Sequence, residues 1–268
     1  MKTGSAFLSL LLLLLWNAAA LAQPPVTSSN DPYTQAQYLD LINSYVEKTV
    51  NIYDGSWAYT YITDDKLDME KLARRVDPSK SFLQSDQIIS INGSPPSLER
   101  QSRHERRMQR RLQRRQNTKR SIVEEERARE GSEKERFLAM IIPESLHLVK
   151  QEGYIHTLEF KGMEDDRKNI YKHLIGTLVL DTKNEFIREL QVRITQPFSP
   201  FFIMRIHSGF FSLRFALNNE GLPIQSDATW QLDGHILYLR DLDRNEELNW
   251  FDIEKVIPHE EQQRVLSQ

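Results

Sequence analysis

Phe186–Leu217 reads FIRELQVRITQPFSPFFIMRIHSGFFSLRFAL, and its alternation decides the fold. Leu190, Val192 and Ile194 fall on one side of an extended chain, with Gln191, Arg193 and Thr195 on the other. That period of two is what a strand with one buried face requires. Phe211, Leu213, Phe215 and Leu217 repeat the pattern against Ser212 and Arg214. Two such runs so close together predict antiparallel neighbours, because parallel strands need long crossovers.

The same texture extends outward. Upstream, Leu146–Val149, Tyr154–Lys161 and Leu174–Asp181 are short strand-like runs. Within and beyond the opening stretch, Phe201–Ile206, Ile224–Leu232, His235–Leu242 and Leu248–Val256 continue the series. Asn218-Asn219-Glu220-Gly221 and Asp233-Gly234 have the composition of hairpin turns. Further upstream, Trp57-Ala-Tyr-Thr-Tyr-Ile-Thr63 and Gln87–Ile91 are two more strands. Asp64-Asp65 and Asp77-Pro78 break the chain on either side of a short charged segment between them. From Thr34 to Ile52, Tyr38, Leu39, Leu41, Ile42, Tyr45 and Val46 recur at helical spacing and predict an amphipathic helix.

Two regions stand apart from this pattern. Residues 100–120 hold nine Arg and one Lys against one Glu, and residues 121–136 hold six Glu against four basic residues. Both segments are rich in helix formers and predict exposed charged helices, an insertion at about 97–137. On a helix, Arg103, Arg107, Arg110, Arg111 and Arg114 lie within roughly one face. They form a candidate anion-binding surface for lipid phosphates or an acidic protein. The plainer alternative is a solvated helix neutralised by the acidic run.

The second region is the N-terminus. Lys2, the apolar run Ala6–Trp16 and Ala20-Leu21-Ala22 have the three parts of a secretory signal peptide. Cleavage after Ala22 leaves 246 residues as a single exported domain, 23–268, beginning with a polar, proline-bearing segment over 23–32. The chain has no cysteine, so neither a disulfide nor a lipobox anchor can form. Export without cysteine fits a Gram-negative periplasm, and it makes nucleic acid an unexpected partner.

Catalytic and cofactor patterns are absent from the sequence. The seven histidines, His104, His147, His156, His173, His207, His235 and His259, show no H-x-H or H-x-x-x-H spacing, so no metal ligands are assigned. There is no G-x-S-x-G elbow and no phosphate-cradling glycine loop. His207-Ser208 and Asp233-x-His235 read as ordinary polar residues at strand ends, and Asp64-Asp65 and Asp165-Asp166 as turn residues. The expectation is therefore a non-enzymatic protein without a cofactor. Trp57, Tyr59, Tyr61, Leu190, Val192, Phe211, Leu213 and Trp230 are the candidate apolar ligand face, with packing against the helices as the alternative.

Trp57–Thr63, Asn92-Gly93-x-Pro95-Pro96, Gly176-Thr-Leu-Val-Leu-Asp181 and Gln196-Pro-Phe-Ser-Pro-Phe-Phe202 resemble a family of uncharacterised exported proteobacterial proteins. The strand order, a meander after an N-terminal helix and strand, resembles the LolA-like periplasmic lipoprotein carriers. That resemblance implies a half-open barrel whose apolar concave face is covered by helices and can hold acyl chains. The arginine-rich insertion departs from it. The expected fold is thus α+β: an incomplete antiparallel β-barrel or strongly curved sheet, with an N-terminal helix and central charged helices. The expected function is binding of a hydrophobic or lipidic ligand in the cell envelope. Its alternative is an envelope sensor or adaptor acting through protein contacts, similar to the LolA-like domains of stress-response regulators.

Overall fold

A computed structural model describes residues 32–118, 141–162, 171–201, 203–236 and 240–266. The signal-peptide segment, nearly all of the 23–32 segment, the acidic run 121–136 and Asp165-Asp166 lie outside the described residues. In chain order the elements are α1 (Gln35–Lys48), β1 (Trp57–Asp65), β2 (Glu70–Val76), β3 (Asp86–Ile91) and α2 (Leu98–Thr118). There follow β4 (His147–Glu152), β5 (Ile155–Lys161), β6 (Leu174–Asp181), β7 (Phe186–Ile194), β8 (Phe198–Phe201) and β9 (Met204–Leu217). The chain continues with β10 (Pro223–Ile236), β11 (Arg240–Asp241), β12 (Arg244–Lys255) and α3 (His259–Leu266). The architecture is α+β, dominated by an antiparallel sheet that is not closed.

The chain divides into two compact units. The first draws on Met1–Val50, Gly131–Pro223 and Trp230–Arg244, the second on Asn51–Glu130, Ile224–Thr229 and Asn245–Gln268. Strand β10 contributes residues to both.

In the first unit the strand order is β10-β9-β7-β6-β5-β4. Helix α1 begins at a capping box: the Thr34 hydroxyl accepts from the Gln37 backbone N–H, and the Gln37 side chain accepts from that of Thr34. Its apolar stripe, Tyr38, Ile42, Tyr45 and Val46, packs on Leu158, Phe160, Leu178, Leu180, Ile187 and Leu190 of β5, β6 and β7. Gly176 makes room for this core. It lies opposite Phe160 in the β5–β6 ladder, and a Cβ built there would sit 1.9 Å from Cζ of Phe160. One polar pair is buried with the apolar residues: the Tyr38 hydroxyl is 3.2 Å from Nδ1 of His156.

In the second unit the order is β3-β2-β1-β12, followed by the Ile224–Thr229 part of β10. Strand β2 is the short charged segment between the two expected breaks, for which the sequence pattern predicts no strand. It is a strand because its charged side chains find partners. Arg74 meets Asp86 on β3, and Arg75 meets Glu254 on β12. The hairpin expected at Asp233-Gly234 is absent, since β10 runs unbroken from Pro223 to Ile236. Gly234 serves close approach instead of a turn: a Cβ there would stand 2.6 Å from the Arg205 carbonyl oxygen on β9. The turn at Asn218–Gly221 does form. The Asn218 side chain accepts the N–H groups of Glu220 and Leu222 at 2.9 Å each, and Gly221 takes φ 74°.

Two outcomes are expected from this packing. Gly176→Ala drives Phe160 from its place in the core, so a urea melt should show a loss of about 1–3 kcal/mol from overpacking. Adding Phe160→Leu to that variant should recover part of the loss. The second outcome concerns Glu189. Burial pushes its carboxyl pKa up, but hydrogen bonds from Gln191, Ser212 and Arg214 outweigh this and hold it below the ordinary glutamate range. A depressed folded-state pKa contributes stability above the unfolded value, and that contribution is lost as pH falls through the folded one. Glu189→Gln should therefore flatten the acid limb of the stability–pH profile.

Candidate anion-binding helix

Helix α2 starts where Pro95-Pro96 ends the preceding extended segment. The Ser97 hydroxyl accepts from the Arg100 N–H at 3.3 Å, supplying one of the acceptors a helix N-terminus lacks. The helix carries eight arginines and no lysine against two glutamates, a formal charge of +6. Such a helix cannot be held by its own charge. It is held by one narrow face.

Met108 is 2% exposed, and Leu112 beside it is half-buried. His104 donates from Nε2 to the Asp86 backbone carbonyl at 2.6 Å. The Asp86 carboxylate takes a two-pronged contact from Arg74, with Nε donating to Oδ1 at 3.1 Å. Arg111 brings Nη1 to 3.9 Å from Oδ2 of the same carboxylate. At the helix start Arg100 donates to Glu70 on β2 at 2.5 Å. Arg74 also lies over the Tyr61 ring, 5.7 Å from its centroid. Burial pushes the Tyr61 hydroxyl pKa up, against the opposing charge of Arg74.

With about 100° per residue, the docked line of His104, Met108, Arg111 and Leu112 fixes what faces outward. Arg103, Arg106, Arg107, Arg110 and Arg114 occupy the opposite side and are exposed. They form a stripe about 16 Å long from Arg103 to Arg114, at 1.5 Å of rise per residue. Arg103 is tethered to Glu99 within the helix at 2.6 Å. Of the expected arginines, Arg111 reaches toward Asp86 while its side chain stays 45% exposed, and Arg106, not in the expected set, is exposed beside the others. The signal for Arg106 was its spacing from Arg103 and Arg110, obscured by not knowing which side docks.

The candidate apolar ligand residues fall into the two units. Trp57 and Tyr59 are 6% and 7% exposed in β1, and Tyr61 is half-buried beneath Arg74. Leu190 pairs with Leu213, and Val192 with Phe211, across β7 and β9. Phe211 meets the Trp230 ring edge-on at 5.4 Å. Leu190 is buried in the core cluster that includes the apolar stripe of α1, and Val192 and Phe211 are partly buried against that cluster. Leu213 and Trp230 are half-buried, and the Trp230 indole N–H has no acceptor among the described residues.

The histidines are less scattered in space than in sequence. His156 is in the core, and His173 stacks on Phe198 at 5.1 Å. His207 on β9 and His235 on β10 stand 3.0 Å apart, Nε2 to Nδ1. Among the described residues no three His, Asp or Glu side chains gather as a metal-binding group. No described helix is long and apolar enough to cross a membrane.

Comparison with protein-family models, curated proteins and solved structures gives no match for this chain.

If the Asp86 contacts hold α2 in place, Asp86→Asn should speed amide exchange over 98–114 selectively. It leaves Arg74 half-buried without a full counter-charge, and breaking such a pair from one side costs about 3–5 kcal/mol when fully buried. Hydrogen exchange read by mass spectrometry checks this. Equal protection of α2 in the variant and the parent would remove Asp86 from that role.

Proposed function

We propose that this is an exported, non-enzymatic envelope protein that associates with an anionic, phosphate-bearing bilayer surface through the outward arginine stripe of α2. The observation that carries the reading is the division of α2 into a docked face and an exposed face of five arginines. Guanidinium groups match phosphate oxygens with paired, directional donors, which lysine does not. Between Arg103 and Arg114 no apolar residue falls in the sector that these arginines span at about 100° per residue, so the stripe lacks the apolar centre that protein interfaces carry. A flat field of headgroup charge needs no such centre. Each arginine brought to an anionic surface contributes about 1 kcal/mol. The apolar side of α2 is already used inside the unit, which supports surface association over insertion.

The open antiparallel sheet with α1 packed on one face supports a LolA-like reading of the fold. Within that reading, α1 is a helix covering the apolar face, as in the carriers. The arginine-rich helix departs from the compact carrier pattern and favours an adaptor that sits at the membrane over a carrier that extracts from it.

Co-sedimentation with vesicles tests the proposal. Binding is expected to vesicles of phosphatidylglycerol and phosphatidylcholine, and not to phosphatidylcholine alone. It should collapse toward 1 M salt, where the Debye length is about 3 Å. Arg107→Gln, Arg110→Gln and Arg114→Gln together should weaken it about 100-fold, from three contributions of about 1 kcal/mol. The melting temperature should barely move, because exposed charges contribute little to folding. Failure of the parent protein to bind anionic vesicles at low salt overturns the reading. Equal affinity of an acidic peptide or a nucleic acid for the stripe overturns the bilayer as its partner.

A further inference from the structure

We propose that His207 and His235 form a binding site for a divalent copper ion on the β9–β10 ladder of the first unit. The two rings approach with Nε2 of His207 3.0 Å from Nδ1 of His235, and their centroids are 5.0 Å apart. Nothing in their sequence separation brings them together. Gly234 does. A Cβ at 234 would stand 2.6 Å from the Arg205 carbonyl oxygen and 3.3 Å from Cα of Ile206. Only a residue without a side chain lets β10 lie this close to β9. His207 follows Ile206 on β9 and His235 follows Gly234 on β10, so on these antiparallel strands the two stand diagonally on either side of that contact and their rings meet across it.

Two imidazole nitrogens at this distance share a proton or share an ion. Copper or zinc sits about 2.0–2.1 Å from imidazole nitrogen. Two such bonds to one ion, with nitrogens 3.0 Å apart, subtend about 94°. A tetrahedral ion needs a wider angle and a separation near 3.3–3.4 Å. The observed spacing therefore fits cis positions on a tetragonal ion, the geometry divalent copper prefers with nitrogen and oxygen ligands. Copper also stands highest in affinity among the divalent first-row metals for such donors. A rotation of the exposed His207 ring turns both lone pairs onto a common point. When the ion enters, the proton between the rings moves to a nitrogen pointing away: Nδ1 of His207 and Nε2 of His235 then carry the ring protons. With no third His, Asp or Glu gathered among the described residues, water completes the coordination and leaves the ion open to solvent.

Titration of the full chain with copper chloride, against glycine as a competing chelator and read by calorimetry and electron paramagnetic resonance, tests the site. One copper ion is expected per chain, in a tetragonal spectrum with coupling to two imidazole nitrogens. That signal should be lost in His207→Gln and in His235→Gln, both checked for an unchanged melting temperature without copper. His147→Gln should keep it, since His147 lies on β4, away from the pair in the strand order. Gly234→Ala keeps both histidines and should lose the signal if strand approach builds the site. Copper retained by either paired-histidine variant, or no uptake by the parent chain, overturns the proposal. The vesicle assay does not read this site, so the two proposals fail independently.

Discussion

The carboxylate of Asp86 is the contact on which the second unit depends. Its side chain is 14% exposed, and that of Arg74 is 18% exposed. A charge so far from water must be paired, because the loss of hydration costs several kcal/mol unless an opposite charge and hydrogen bonds replace it. Arg74 supplies the pair from β2, and Arg111 adds a second positive charge from α2. The backbone carbonyl of the same residue takes the His104 hydrogen bond. One residue thus fixes a strand to its neighbour and a highly charged helix to both.

That anchorage sorts identical side chains into different roles. Arg74 turns inward, and Arg111 reaches to the same carboxylate from an exposed position. Arg100 bridges to Glu70, and Arg103 is held by Glu99. Arg106, Arg107 and Arg110 point to solvent from the far side of the helix. Self-repulsion along this stripe opposes compactness. Met108 and the contacts to Asp86 offset it, so the stripe is straight and preorganised. Preorganisation matters for binding because the ordering cost is met on folding.

The first unit relies on a different constraint. Its core is apolar and close-packed, and its register leaves little freedom. Gly176 admits the Phe160 ring, and Gly209 lies against Ile194, where a Cβ would come within 2.5 Å of Cδ1. Gly234 admits the β9 backbone and with it the histidine pair. These glycines are structural because of what lies above them. Their φ angles are not in the left-handed region, so backbone preference alone would not mark them.

Local pattern in the sequence determined the antiparallel strands, the α1 stripe with its Thr34 cap, the Asn218–Gly221 turn and the existence of an arginine helix. Each is set by neighbours within a few residues: alternation for β7 and β9, helical spacing for Tyr38, Ile42 and Tyr45. Long-range partners decided the rest. Strand β2 was not legible in its charged segment because Arg74 and Arg75 find their counter-charges 12 and 179 residues away, on Asp86 and Glu254. Gly234 looked like a turn because a glycine needed for close approach and one needed for φ are the same letter. The apolar alternation at Leu190 and Val192 was plain, but only the position of α1 made that face core. The approach of Arg111 to Asp86, and the meeting of His207 with His235, depend on which surfaces dock, and no local spacing encodes that.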